Sequence, residues 1–159
     1  MTGIDGVAIV YCEGAFNTPT GKTAHGLVRF TRRYDILAVV DSNHVGSDAG
    51  EIIDGRPNGI PVVGGIKQAL GGAERAGKSA THLAVGLTPE WTDLPGPIRA
   101  DLKKALELGL NIDSGLRYFL TDDPEFRELA EANGVQIRDV RKPPPRNECH
   151  FFSGKIKDV

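Results

Sequence analysis

Short apolar runs alternate with amphipathic stretches along almost the whole chain. Val7-Ala8-Ile9-Val10-Tyr11-Cys12 is unbroken apolar, the mark of a strand covered on both faces. Ile36-Leu37-Ala38-Val39-Val40, Ile60-Pro61-Val62-Val63 and His82-Leu83-Ala84-Val85 repeat that signal. Between them the pattern predicts helices over residues 23–33 and 66–76, and a Gly/Asp/Ser-rich loop over 41–59 with room for one helical turn. Pro97 opens a further helix that Gly109 stops after Leu108. A short strand over 110–112, a helix over 124–133 closed by Gly134, and a last strand over 135–138 complete the series. Strand and helix alternating at this spacing predict an α/β fold: a doubly wound, mainly parallel, Rossmann-like sheet of five or six strands. Ligands of such sheets sit at the carboxyl ends of the strands, near the point where the strand order reverses. The loops after each strand are therefore the ones to search.

Composition adds limits. With 159 residues, 40% of them hydrophobic and 25% charged, the chain has the makeup of one folded domain and not of a disordered segment. Its 20 glycines are about twice the usual share and follow no repeat, so they serve turns and close approaches. A net charge of −2 argues against nucleic-acid binding through a basic surface. No apolar run is long enough for a membrane span, and Met1-Thr2-Gly3-Ile4-Asp5 does not open a signal peptide. Cys12 and Cys149 make no disulfide framework, so a cytoplasmic protein with reduced thiols is expected. Beyond Val140 the character changes. Arg141-Lys142-Pro143-Pro144-Pro145-Arg146 is basic and stiff, and reads as the exit from a domain spanning residues 1–140. The remaining tail, with Phe151-Phe152, either packs back on the domain or leads into something longer.

Candidate chemistry gathers in the strand-end loops. Gly21-Lys22-Thr23 looks like the end of a phosphate-binding P-loop, but Phe16 stands where its first glycine belongs and Pro19 has no N–H to give. An NTP-hydrolysing loop is therefore not expected. A looser anion site is, built from Gly14, Thr20, Gly21, Lys22 and Thr23 at a helix N-terminus; the competing reading has Thr20 or Thr23 merely capping the helix while Lys22 is solvated. Asp41, with Ser42, follows the second strand, where an acidic residue either accepts ribose hydroxyls or caps the next turn. The Gly-x-Gly-x-x-Gly fingerprint of dehydrogenases is absent. Gly86 opens the loop after the fourth strand, which also carries the single tryptophan, Trp91, either stacking on a ring or covering the core. Ser114 and Gly115 close the set after the fifth strand. The four histidines show no metal spacing, so no metal is expected, and Cys12, at the end of a buried strand, is expected to be inert. Asp122-Asp123-Pro124 reads as an acidic helix cap. No residue stands out as a catalytic base.

Taken in order, several segments resemble a known family. They are Glu13-Gly14-Ala15-Phe16, the stretch from Lys22-Thr23 to Phe30, Val39-Val40-Asp41-Ser42, Gly46 with Asp48-Ala49-Gly50, Gly59-Ile60-Pro61-Val62, Ser114-Gly115-Leu116, and Asp139-Val140-Arg141-Lys142-Pro143-Pro144. Together they are similar to the N-terminal Rossmann-like domain of an uncharacterised-domain family that includes D-glutamate N-acetyltransferase-like proteins. The resemblance implies a ligand-binding domain for a nucleotide- or CoA-type phosphate, with acetyl-CoA or a nucleotide as the cofactor. It also implies a partner domain, P-loop NTPase-like, after the proline stretch, and an isolated chain without activity of its own. Two positions depart from the family's habit. Arg117 stands where a histidine is usual, and Leu87-Thr88-Pro89-Glu90-Trp91-Thr92 where paired glycines are. A fainter similarity, over residues 59–63 and 103–112, runs to the CoA-binding domains of acyl-CoA synthetases. The alternatives are a stand-alone module binding a small-molecule ligand, and a dimerisation domain, with homo-oligomers left open.

Overall fold

The computed structural model describes residues 5–149; the tail beginning at His150 and its Phe151-Phe152 pair lie outside the described residues. Six strands form one all-parallel sheet in the order β3-β2-β1-β4-β5-β6. They are β1 (Gly6–Tyr11), β2 (Tyr34–Val40), β3 (Val62–Val63), β4 (His82–Val85), β5 (Asn111–Ser114) and β6 (Ile137–Asp139). The crossovers are helical: α1 (Lys22–Phe30), α2 (Ala49–Asp54), α3 (Ile66–Arg75), α4 (Gly96–Glu107) and α5 (Pro124–Asn133). With the right-handed connections that parallel strands take, this order puts α1 and α2 on one face and α3, α4 and α5 on the other. The expected Rossmann-like α/β fold is what the chain adopts, with the strand order reversing between β1 and β4.

Burial explains the pattern. Ala8, Ile9, Val10, Tyr11, Leu83 and Ile112 are fully buried in the central strands, where both faces are covered. The helices contribute one face each, such as Leu102, Ala105 and Leu106 of α4. Several boundaries differ from the pattern for physical reasons. The first helix ends at Phe30, not residue 33, because Thr31 is already extended. The loop over 41–59 contains α2 as well as a helical turn; Asp48 caps it by accepting from the N–H groups of Gly50 and Glu51. The third strand shrinks to Val62–Val63, since Pro61 has no N–H to pair. The fifth runs on through Asp113 and Ser114, polar residues that find partners: Arg138 bonds Asp113 at 2.8–2.9 Å, and the Ser114 hydroxyl accepts the Leu116 N–H at 3.3 Å. Among the described residues no helix is long and apolar enough to cross a membrane.

Candidate functional site

At the carboxyl end of β1 the chain turns sharply through Gly14, in the left-handed region at φ +70°. The loop is held from below by Asp41, the first residue after β2 and fully buried. Its carboxylate accepts the Gly14 N–H at 3.0 Å, the Phe16 N–H at 3.3 Å and the Asn43 N–H at 3.1 Å, and meets His44 Nδ1 at 2.7 Å. Beside it Glu13 accepts from the Ser42 N–H at 2.9 Å and from the Ser42 hydroxyl. Gly14, Asp41 and Ser42 thus form a knot tying the first loop to the second, with the Asp41 oxygens engaged by the protein itself. Phe16 is buried in the core, and His25 packs edge-on against its ring at 5.5 Å.

The glycines at the next bend are equally tight. A side chain at Gly21 would lie 2.5 Å from the Ala15 carbonyl and 2.8 Å from that of Phe16, so this glycine lets the loop close on itself. A side chain at Gly86 would lie 2.6 Å from Cβ of Ala24, so the close approach there is made by α1. The N–H groups at the opening of α1 are partly spent. That of Lys22 goes to the Pro19 carbonyl and that of Ala24 to the Gly86 carbonyl at 3.1 Å. Neither Thr20 nor Thr23 caps the helix; Gly21 occupies that position without a side-chain bond, while Thr18 accepts the Thr20 N–H at 3.2 Å.

What the fold does bring together is the β1 loop and the β4 loop, at the reversal of strand order. The Thr88 N–H donates to the Thr20 carbonyl at 2.7 Å, and the Thr23 and Thr88 hydroxyls meet at 2.8 Å. Beside this seam lies an open groove of about 410 Å³ whose lining includes Pro19, Thr20, Lys22, Thr88, Glu90 and Trp91. Lys22 is exposed and pairs with no carboxylate among the described residues. Trp91 is half-buried against the core, as the covering role expects, and lines the groove with its remaining surface. Thr88 was not distinguishable by sequence from the other polar residues of its loop. Ser114 and Gly115 lie apart from the groove, where the Ser114 carbonyl accepts the Val140 N–H at 2.9 Å and Gly115 faces Val140.

Burial, with the charges of Asp41 and Glu13, pushes the Cys12 thiol up to about 12. Among the described residues no three His, Cys, Asp or Glu side chains are grouped to hold a metal ion. Asp123 caps α5, accepting the Glu125 N–H at 3.0 Å. A second concavity, about 320 Å³, lies at the amino ends of the strands and is lined by Asp5, His82, Asn111, Asp113, Gln136 and Arg138. Its charges are spent on one another and their neighbours, Asp113 on Arg138 and Asp5 on Arg33. The groove at the carboxyl ends differs: among the described residues its Lys22 has no carboxylate partner, and the Glu90 carboxylate on the same lining has no cation partner.

Comparison with known proteins places the chain. Residues 42–143 match the model of the domain of unknown function DUF1611_N, a Rossmann-like domain. The chain belongs to this family. A crystal structure of a DUF1611 family protein from Anabaena variabilis is similar to it, at 28% identity and a TM-score of 0.75 over 87% of this chain. The match spans 38% of that protein's length. Homoserine dehydrogenases from Thiobacillus denitrificans (14% identity, TM-score 0.53, 87% of this chain and 30% of that one) and S. aureus (11%, 0.50, 84% and 32%) share the fold. No curated protein matches the chain.

Proposed function

We propose that this DUF1611_N domain binds the phosphate-bearing part of a nucleotide- or CoA-type ligand in the groove between the β1 and β4 loops. The observation that carries the reading is the Lys22 ammonium, unpaired among the described residues, sharing a groove with a half-exposed Trp91 at the reversal of strand order where doubly wound sheets take their ligands. Lys22, with the Thr20 and Thr23 hydroxyls nearby, supplies charge and hydrogen bonds to a phosphate, and the Trp91 ring offers a face for a base or an acyl chain. Gly14, Gly21, Asp41, Ser42 and Gly86 serve this site at one remove, by fixing the loops that carry it. Ser114 and Gly115 shape the neighbouring loop.

The domain works, on this reading, as the ligand-holding part of a longer protein, in keeping with the larger size of the Anabaena relative. An N-acetyltransferase-like role on a D-amino acid, with acetyl-CoA as donor, extends the proposal by resemblance, and its catalytic groups would come from outside this domain. Titration calorimetry with ATP and with acetyl-CoA tests the reading. At least one should bind, and Lys22→Ala should weaken that ligand about tenfold, the loss of one charge-assisted contact. Lys78→Ala should leave it unchanged, because Lys78 is engaged with Asp35 at 2.7 Å away from these loops. Absence of binding, or equal losses from both substitutions, would overturn the proposal.

A further inference from the structure

The β4 loop has a second side. Trp91 lines the groove just described, and Thr92, its neighbour in the chain, lines another concavity of about 500 Å³. Its other walls are Arg117, Tyr118, Phe119, Asp122 and Asp123, from the loop after β5. Trp91 and Thr92 are consecutive, with Cα atoms about 3.8 Å apart, so the β4 loop contributes a residue to each concavity.

The charges of this concavity beside the β5 loop are mostly accounted for. Asp123 accepts from Arg99 at 2.6 Å and from the Tyr118 hydroxyl at 2.7 Å, and Asp122 is held by Lys142. Arg117 lines the same concavity as both carboxylates and bonds to neither; it is exposed, with the five donors of its guanidinium unspent among the described residues. The backbone N–H groups of Arg117, Tyr118 and Phe119 likewise have no acceptor among the described residues, whereas those of Leu120 and Thr121 are taken by Asp139 at 3.1 and 2.8 Å. These N–H groups and the Arg117 guanidinium are donors open to an anion. With Asp122 and Asp123 already paired, the surplus is a single positive charge. That single surplus charge matches a singly charged carboxylate, presented flat to the guanidinium fork, better than a doubly charged phosphate.

We infer that the loop after β5 is a carboxylate subsite centred on Arg117. The ligand then carries two anionic groups, a phosphate in the groove at Lys22 and a carboxylate in the concavity at Arg117. This rests on the proposed phosphate groove and adds what the rest of the ligand must be.

The test uses the full chain and a series of ω-phosphonoalkanoates of increasing length, against alkylphosphonates of the same lengths, by titration calorimetry. One phosphonoalkanoate should bind about tenfold tighter than its alkylphosphonate, the worth of a bidentate charged contact. Arg117→Ala should abolish that advantage and leave alkylphosphonate affinity unchanged, and Arg117→Lys should restore part of it. Lys22→Ala should weaken both series. Alkylphosphonates that bind with no gain from a carboxylate at any length would overturn the subsite and leave the phosphate groove standing. Arg117→Ala weakening both series alike would mean diffuse charge, and would also overturn the subsite. Failure of every phosphonate to bind the unaltered protein would overturn both.

Discussion

Asp41 shows how one side chain organises the region. Its position after a buried strand marks it as important in the sequence, but two different uses, a ribose contact or a turn cap, predict the same residue there. Burial separates them: a fully enclosed carboxylate with three backbone N–H donors is already satisfied. Asp41→Ala leaves the Gly14 and Phe16 N–H groups without acceptors and should cost about 3 kcal/mol. For a chain of this size that is a fall of roughly 6–12 °C in melting temperature, measurable by calorimetry or circular dichroism. Ser42→Ala removes an exposed hydroxyl from the same knot and should stay within about 0.5 kcal/mol. Equal effects from the two would mean that Asp41 is not the tie.

Packing of elements makes its own predictions. Gly86→Ala drives a methyl group into Ala24 and pushes α1 from the sheet, costing about 1–3 kcal/mol. Gly26, exposed on α1 with open space at its Cβ position, is the matched control: Gly26→Ala should stabilise by about 0.5–1 kcal/mol in the same denaturation experiment. The α2 segment should lose stability in acid. The Asn58 N–H above all, opposed by partial burial and joined by the N–H groups of Gly59, Glu51 and Gly50, holds the Asp48 carboxyl below its ordinary 3.8. A depressed folded-state value gives stability that is complete above 3.8 and is lost as pH falls towards the folded value. Urea midpoints followed from pH 6 down to pH 2 should therefore drop less steeply in Asp48→Asn, which carries no such titration, than in the unaltered chain. Parallel slopes would contradict the role given to Asp48. Elements with long apolar runs or clear stops, such as β1, β4 and α5, were legible because burial on both faces and a capping Asp123 leave plain marks. The six-residue α2 and the polar end of β5 were not. A helix of that length shows no periodicity, and Asp113 becomes a strand residue only because Arg138 arrives from a strand 25 positions later.

For the whole molecule, the order β3-β2-β1-β4-β5-β6 decides where function can sit. The sequence predicts strand ends on one edge, which brings the β1 and β4 loops together. Which residues would face outward could not be read from it, because the glycines that look suited to a ligand's approach are used by the protein's own backbone and by α1. The groove and its free cation appear only once Thr20, Thr23 and Thr88 are joined across the seam. The most direct test is an NMR titration of the full chain with ATP and with acetyl-CoA, following backbone amides and the Trp91 indole. The account predicts that the ligand that binds gives its largest shifts at Thr20, Lys22, Thr23, Thr88 and Trp91. Shifts gathered instead around Asp5, His82 and Asn111 at the amino ends of the strands, with the groove unperturbed, would contradict it.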